Sequence, residues 1–196
     1  MLKKAIVLLA MVASAALTYG QGTVNFNTLT LGTTAQIKNV DGTLAAGTGF
    51  FAQLYAAKGI NAAESSLLPV GDPVNLRTGG NAGYVQTSGT TSLGTAVNST
   101  VTIAAAAPGG PVTLQLRAWA GPSSSYAAAV AAKTANGKSA LFNLNTTGDP
   151  TAAPPTTPVN LVGLAGFQLV GTTVPEPSTI ALGLIGAGAL LIRRRK

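Results

Sequence analysis

Two apolar segments bracket this 196-residue chain and leave only its middle free to fold. The first, Ala5 to Leu17, follows Lys3 and Lys4 and runs into Thr18-Tyr19-Gly20-Gln21. A basic start, an apolar stretch of about 7–15 residues and small residues after it make a secretory signal peptide. The stretch is too short to cross a bilayer, which takes about 20 residues. It has no polar face, so it is not an amphipathic surface helix. Cleavage is expected around residues 18–21, with Ala13-Ser14-Ala15 as the alternative, and residues 1–21 are set apart as a segment read by the secretion machinery.

The second apolar segment, Thr179 to Ile192, lies between Val174-Pro175-Glu176-Pro177 and the cluster Arg193, Arg194, Arg195 and Lys196. Proline removes a helix donor, so the helix is expected to start near Ser178, which can cap it. Residues 178–192 would make a helix about 22 Å long at 1.5 Å per residue. That is short of the ~30 Å hydrocarbon core, but snorkelling arginines and local thinning can cover the difference. Gly183, Gly186 and Gly188 would leave one face smooth for a second helix. The terminal cations would stay cytoplasmic and the bulk of the chain outside. The expected layout is signal peptide 1–21, ectodomain 22–170, linker and motif 171–177, transmembrane helix 178–192 and basic tail 193–196.

The order of this tail, a Pro-Glu-Pro motif, an apolar helix and a terminal basic cluster, closely resembles the PEP-CTERM sorting tail of Gram-negative bacteria. Pro175, Glu176 and Pro177 stand at the family's Pro-Glu-Pro positions. The resemblance implies recognition and processing by a membrane-embedded exosortase, which carries the catalytic residues. It also implies association with the cell envelope or extracellular polysaccharide. Two prolines keep the backbone extended, the form a protease takes into its active site.

A net charge of +7 raises the question of nucleic acid. Yet much of it sits at the two ends. In the middle, Lys38, Lys58, Arg77, Arg117, Lys133 and Lys138 stand against Asp41, Glu64, Asp72 and Asp149. These six cations are scattered, whereas phosphate binding needs them clustered, so nucleic acid is not an expected partner. The chain has no cysteine and no histidine. That excludes disulfides, a thiol nucleophile, a Ser-His-Asp triad and imidazole metal ligands. No metal site and no cofactor are expected.

The middle reads as mainly β: a single β-sandwich, jelly-roll or immunoglobulin-like, with one short helix. Val112 to Ala118 alternates strictly, with Thr113, Gln115, Arg117 and then Trp119 on the second face. Thr48 to Ala57 is a second strand. Further candidates are residues 23–27, 35–40, 82–87, 99–103, 140–144 and 166–170. Asp41-Gly42, Asn136-Gly137 and the Pro108 to Pro111 run supply turns. Tyr126 to Lys133 is expected as a surface helix over a sheet edge, capped from Ser123 to Ser125 and ended near Gly137. Residues 146–158 are a proline-rich loop. The ectodomain also loosely resembles small PEP-CTERM proteins through Ala52 to Ala56 (AQLYA), Leu114 to Trp119 (LQLRAW) and Gly137 to Asn143 (GKSALFN), a resemblance that implies no activity.

Three functional expectations follow. The first is an exported, non-enzymatic envelope or matrix protein. The second is a carbohydrate-binding module in which Trp119, beside Arg117 and foremost among the rings of Trp119, Tyr55, Tyr84 and Tyr126, offers a platform to a sugar ring, against the alternative of core packing. The third is a hydrolase using two carboxylates about 5–9.5 Å apart. However, Asp41, Asp72 and Asp149 each precede Gly or Pro and read as turn residues. No Asp-rich run suggests calcium. The Asn98-Ser99-Thr100 and Asn145-Thr146-Thr147 patterns read as ordinary strand and loop residues.

Overall fold

The alternating segment that begins at Val112 lies at the centre of the fold in a computed structural model, which describes residues 21–30 and 33–171. In chain order the strands are β1 (Gly22–Asn25), β2 (Leu29–Thr30), β3 (Thr33–Thr34), β4 (Ile37–Lys38), β5 (Gly47–Lys58), β6 (Leu68–Leu76), β7 (Thr100–Ile103), β8 (Val112–Ala120), β9 (Asn136–Lys138), β10 (Phe142–Leu144), β11 (Val159–Asn160) and β12 (Phe167–Gln168). Helix α1 (Tyr126–Ala131) separates β8 from β9. The described residues are thus mainly β with a single short α-helix. Residues 1–20 of the expected signal peptide, the motif at Val174 to Pro177, the expected transmembrane helix 178–192 and the basic tail lie outside the described residues.

One sheet has the order β10-β8-β5-β6, with β9 also paired to β8; another has the order β11-β1-β7. The β5–β8 pairing is antiparallel and unbroken from Phe50↔Ala120 to Lys58↔Val112. Its first face presents Ala52, Leu54, Ala56, Val112, Leu114, Leu116 and Ala118, all buried. They join Val24 and Ile103 from the second sheet in one core. Each fully buried leucine there contributes about 1.5–3 kcal/mol.

The second face of β8 is covered as well. Thr113, Gln115 and Trp119 are buried, beneath α1 and the segment that carries a 3-10 turn at Glu64–Ser66. The helix packs on the sheet face near Trp119, not over a sheet edge. Ser125 Oγ caps it by accepting from Ala128 N. It ends at Ala131 with Ala132 as its C-cap, not near Gly137. Lys133 takes a left-handed φ of 55°. Its N–H bonds Val130 O and the Thr134 N–H bonds Ala129 O, a paired closure of the last turn.

Three other expectations change. β6 was missed because it contains Pro69 and Pro73. Prolines are tolerated because β6 is an edge strand. Asp72 lies inside this strand, near a register irregularity against β5, and not in a turn between elements. Asn136-Gly137 likewise belongs to strand β9. A Cβ on Gly137 would come within 2.9 Å of the Gln168 carbonyl oxygen, so this glycine permits a close strand crossing. Residues 82–87 form no strand and bond back to the end of β6 through an isolated Leu76↔Val85 bridge.

Candidate functional site

Strand register gathers the charged cluster on the second face of the larger sheet. Tyr55 stands opposite Gln115, and Gln53 and Lys138 stand opposite Arg117 on its two sides. Residues opposite one another in a sheet share a face. The Arg117 guanidinium lies 4.0 Å from the Tyr55 ring centroid and 5.4 Å from that of Tyr126. Its Nε donates to Gln115 Oε1 at 2.8 Å. Its Nη2 is 3.6 Å from Glu64 Oε1, which accepts a 2.6 Å hydrogen bond from Lys138 Nζ.

The charges tune one another. The hydrogen bond from Lys138, aided by the positive charges of Lys138 and Arg117, holds the Glu64 carboxyl below its ordinary range. Burial pushes the Tyr55 phenol up, and the Arg117 charge opposes that shift. The Arg117 side chain is 15% exposed, against 40% for Glu64 and 48% for Lys138. The guanidinium is therefore the enclosed member, and the Glu64–Lys138 pair is the rim of a shallow depression of about 410 Å³. Chemically this is a clamp. A flat cation held against two rings fastens α1 and the Glu64 segment to the sheet.

Trp119 does share a face with Arg117, as the alternation indicates, but that face is closed. Trp119 is 0% exposed. Phe51 stacks on it at 5.8 Å, and Tyr126 meets it edge-on at 6.3 Å. Its indole Nε1 donates to the Ser123 carbonyl at 2.8 Å. A sugar ring has no access to it, so the Trp119 platform is corrected to a core position. Arg117 is turned inward against two tyrosines and keeps 15% exposure where it lines the shallow depression with Glu64 and Lys138. The physical reason is α1, whose Tyr126 and Ala129 cover this end of the sheet.

The carboxylates are dispersed in role. Asp41 Oδ1 accepts from Thr43 N and Oγ1, and Asp149 Oδ1 accepts from Thr151 N and Oγ1 and from Ala152 N. These bonds, with that from the threonine hydroxyl foremost, lower both acids below the usual range. Both therefore act in turns, as the sequence suggests. Asp72 lines a separate cleft of about 280 Å³ beside β6 and β7, with Thr91, Asn98 and Thr100.

The sequence alone does not single out Lys138, and it reads Tyr55 and Glu64 as a platform ring and a hydrolase carboxylate rather than as neighbours of Arg117. A signal existed: Tyr55 and Lys138 belong to two of the three segments that carry the looser resemblance, and Arg117 to the third. In the fold those segments are β5, β8 and the β9–β10 stretch, all joined through β8.

The described body closes at Gly171. Just beyond it, residues 173–196 match the family model of the PEP-CTERM protein-sorting motif. The chain carries a PEP-CTERM sorting motif. The match takes in Val174, Pro175, Glu176, Pro177 and the basic residues Arg193 to Lys196. Such a motif is a C-terminal sorting signal of exported proteins and implies processing by an exosortase-type membrane enzyme. No curated protein and no solved structure matches the chain. Among the described residues, no helix is long and apolar enough to cross a membrane.

Proposed function

We propose that this is an exported, non-enzymatic protein, tethered to the membrane by its tail until an exosortase processes it and passes it to the cell envelope or extracellular matrix. The observation that carries the reading is the PEP-CTERM sorting motif at residues 173–196. The basic, apolar amino-terminal segment supports export. The short apolar run followed by four cations supports a tether that lasts only until processing. The body is read as a β-sandwich whose two sheets share a core. The inward packing of Trp119 and Arg117 supports a structural use of the aromatic cluster.

Replacing Pro175, Glu176 and Pro177 by alanine tests the reading. Export should continue, while the protein keeps its tail and remains in the membrane fraction of the native cells. Mass spectrometry of fractionated cells reads both outcomes. An unchanged mature mass in an unchanged compartment overturns the sorting role.

A further inference from the structure

The last strands of the body form a small face at the point where the tail leaves. Lys38 stands opposite Gln168 on one side and Leu44 on the other. Val170 lies two residues beyond Gln168 and points the same way, while Val40 lies in the turn that follows β4, at the same end of the body. The pairing extends through Val170, which exchanges backbone bonds with Asn136. Val40 packs where residue 171 would carry a side chain, 3.4 Å from a Cβ built on Gly171. Ile37, Ala45 and Leu169 are buried, while Val40 is 45%, Leu44 38% and Val170 63% exposed. Val40 and Val170 therefore flank the exit, and Leu44 and Lys38 form a pair further along the same hairpin.

The chain sets what this face can meet. Six residues, 172–177, separate Gly171 from Ser178, where the apolar run begins. Even fully stretched, the path from Gly171 to Ser178 is about 25 Å at most. A compact domain of this length is roughly 40 Å across by the scaling of folded chains. A tether shorter than the body's own diameter keeps the exit side next to the surface that holds the tail. Lys38 and the exposed Asp41 of the adjoining turn offset each other in charge, so it is the apolar side chains that suit this patch to the headgroup boundary of a bilayer.

We propose that the face formed by Val40, Leu44 and Val170, with Lys38 beside it, rests on the lipid interface while the tail is in place. The inference depends on the tail being a membrane tether. The absence of native cysteine makes the test clean. The full chain is prepared with single substitutions Val40→Cys, Leu44→Cys or Val170→Cys, each labelled with a polarity-sensitive fluorophore. Leu68→Cys and Leu93→Cys, also exposed apolar positions, serve as comparators. Ala187→Cys reports on the tail. The proteins are reconstituted into vesicles of phosphatidylethanolamine and phosphatidylglycerol that contain nitroxide-labelled lipid.

The expected result is blue-shifted emission and loss of most of the signal to the lipid quencher at 40, 44 and 170, with little change at 68 and 93. If position 187 is quenched while 40, 44 and 170 behave like the comparators, the docking face is refuted and the tether stands. If 187 is not quenched, the tether reading falls, and this inference with it. Shielding of 40, 44 and 170 from a water-soluble quencher without contact with the lipid quencher would mean that protein covers the face, which also refutes the proposal.

Discussion

Replacing Arg117 by methionine should expose what the clamp is worth. Methionine keeps the apolar stem and removes the cation, so little cavity is created. The guanidinium is mostly enclosed and lies near two tyrosine rings. A desolvated cation–π contact is worth about 2 kcal/mol. Its loss also leaves the buried Gln115 Oε1 without the Arg117 Nε donor, which costs about 1–3 kcal/mol. A destabilisation of roughly 3–5 kcal/mol follows. With a urea slope near 2 kcal/mol/M, the midpoint should fall by about 1.5–2.5 M. Trp119, the sole tryptophan and next to the clamp, reports the transition through its emission. Glu64→Gln is the companion variant. Glu64 is well exposed and 3.6 Å from Arg117, so its loss should cost less than about 1 kcal/mol. A midpoint for Arg117→Met unchanged from the parent would refute the clamp. Equal losses in the two variants would refute it too, because the ion pair would then be the source of stability.

Glu64 has its folded pKa lowered by Lys138, so its contribution is present above the unfolded carboxylate value and fades as pH falls through the folded one. Acid titration of stability should show a small loss beginning just above that unfolded value, and Glu64→Gln should flatten it. Gly166→Ala would place a Cβ 2.5 Å from the Gln36 carbonyl oxygen; a loss of about 1–3 kcal/mol in urea unfolding is expected, and full stability would disprove the tight crossing. Thr23→Val should stabilise by about 1 kcal/mol, since Thr23 Oγ1 is buried without a hydrogen-bond partner. A lower melting temperature for Thr23→Val would count against that reading.

Sequence pattern reached the elements whose signals are local. β5, β8 and the serine-capped helix follow from alternation, propensity and capping. β6 escaped because prolines mark a break in an interior strand but are harmless on an edge, and edge status is set by tertiary pairing. Gly137 misled in a similar way, since a glycine that permits close approach looks like one that permits a turn. The Arg117–Trp119 face was placed on the correct side of β8. Its burial was not legible, because the covering helix lies across it only through the chain's return over the sheet. Glu64 and Lys138 meet across 74 positions, a separation that no local spacing encodes.

The parallel pairing of β1 with β11, and of β4 with β12, has a bearing on how the molecule comes into being. A polypeptide delivered amino end first presents β1 early, yet one neighbour of β1 is not supplied until residues 159 and 160 emerge. β4 waits longer still, for residues 167 and 168. Contacts so far apart in sequence form slowly. The newborn protein therefore reaches its final shape only once residues 167 and 168 have emerged, a few positions before the sorting motif that begins at residue 173.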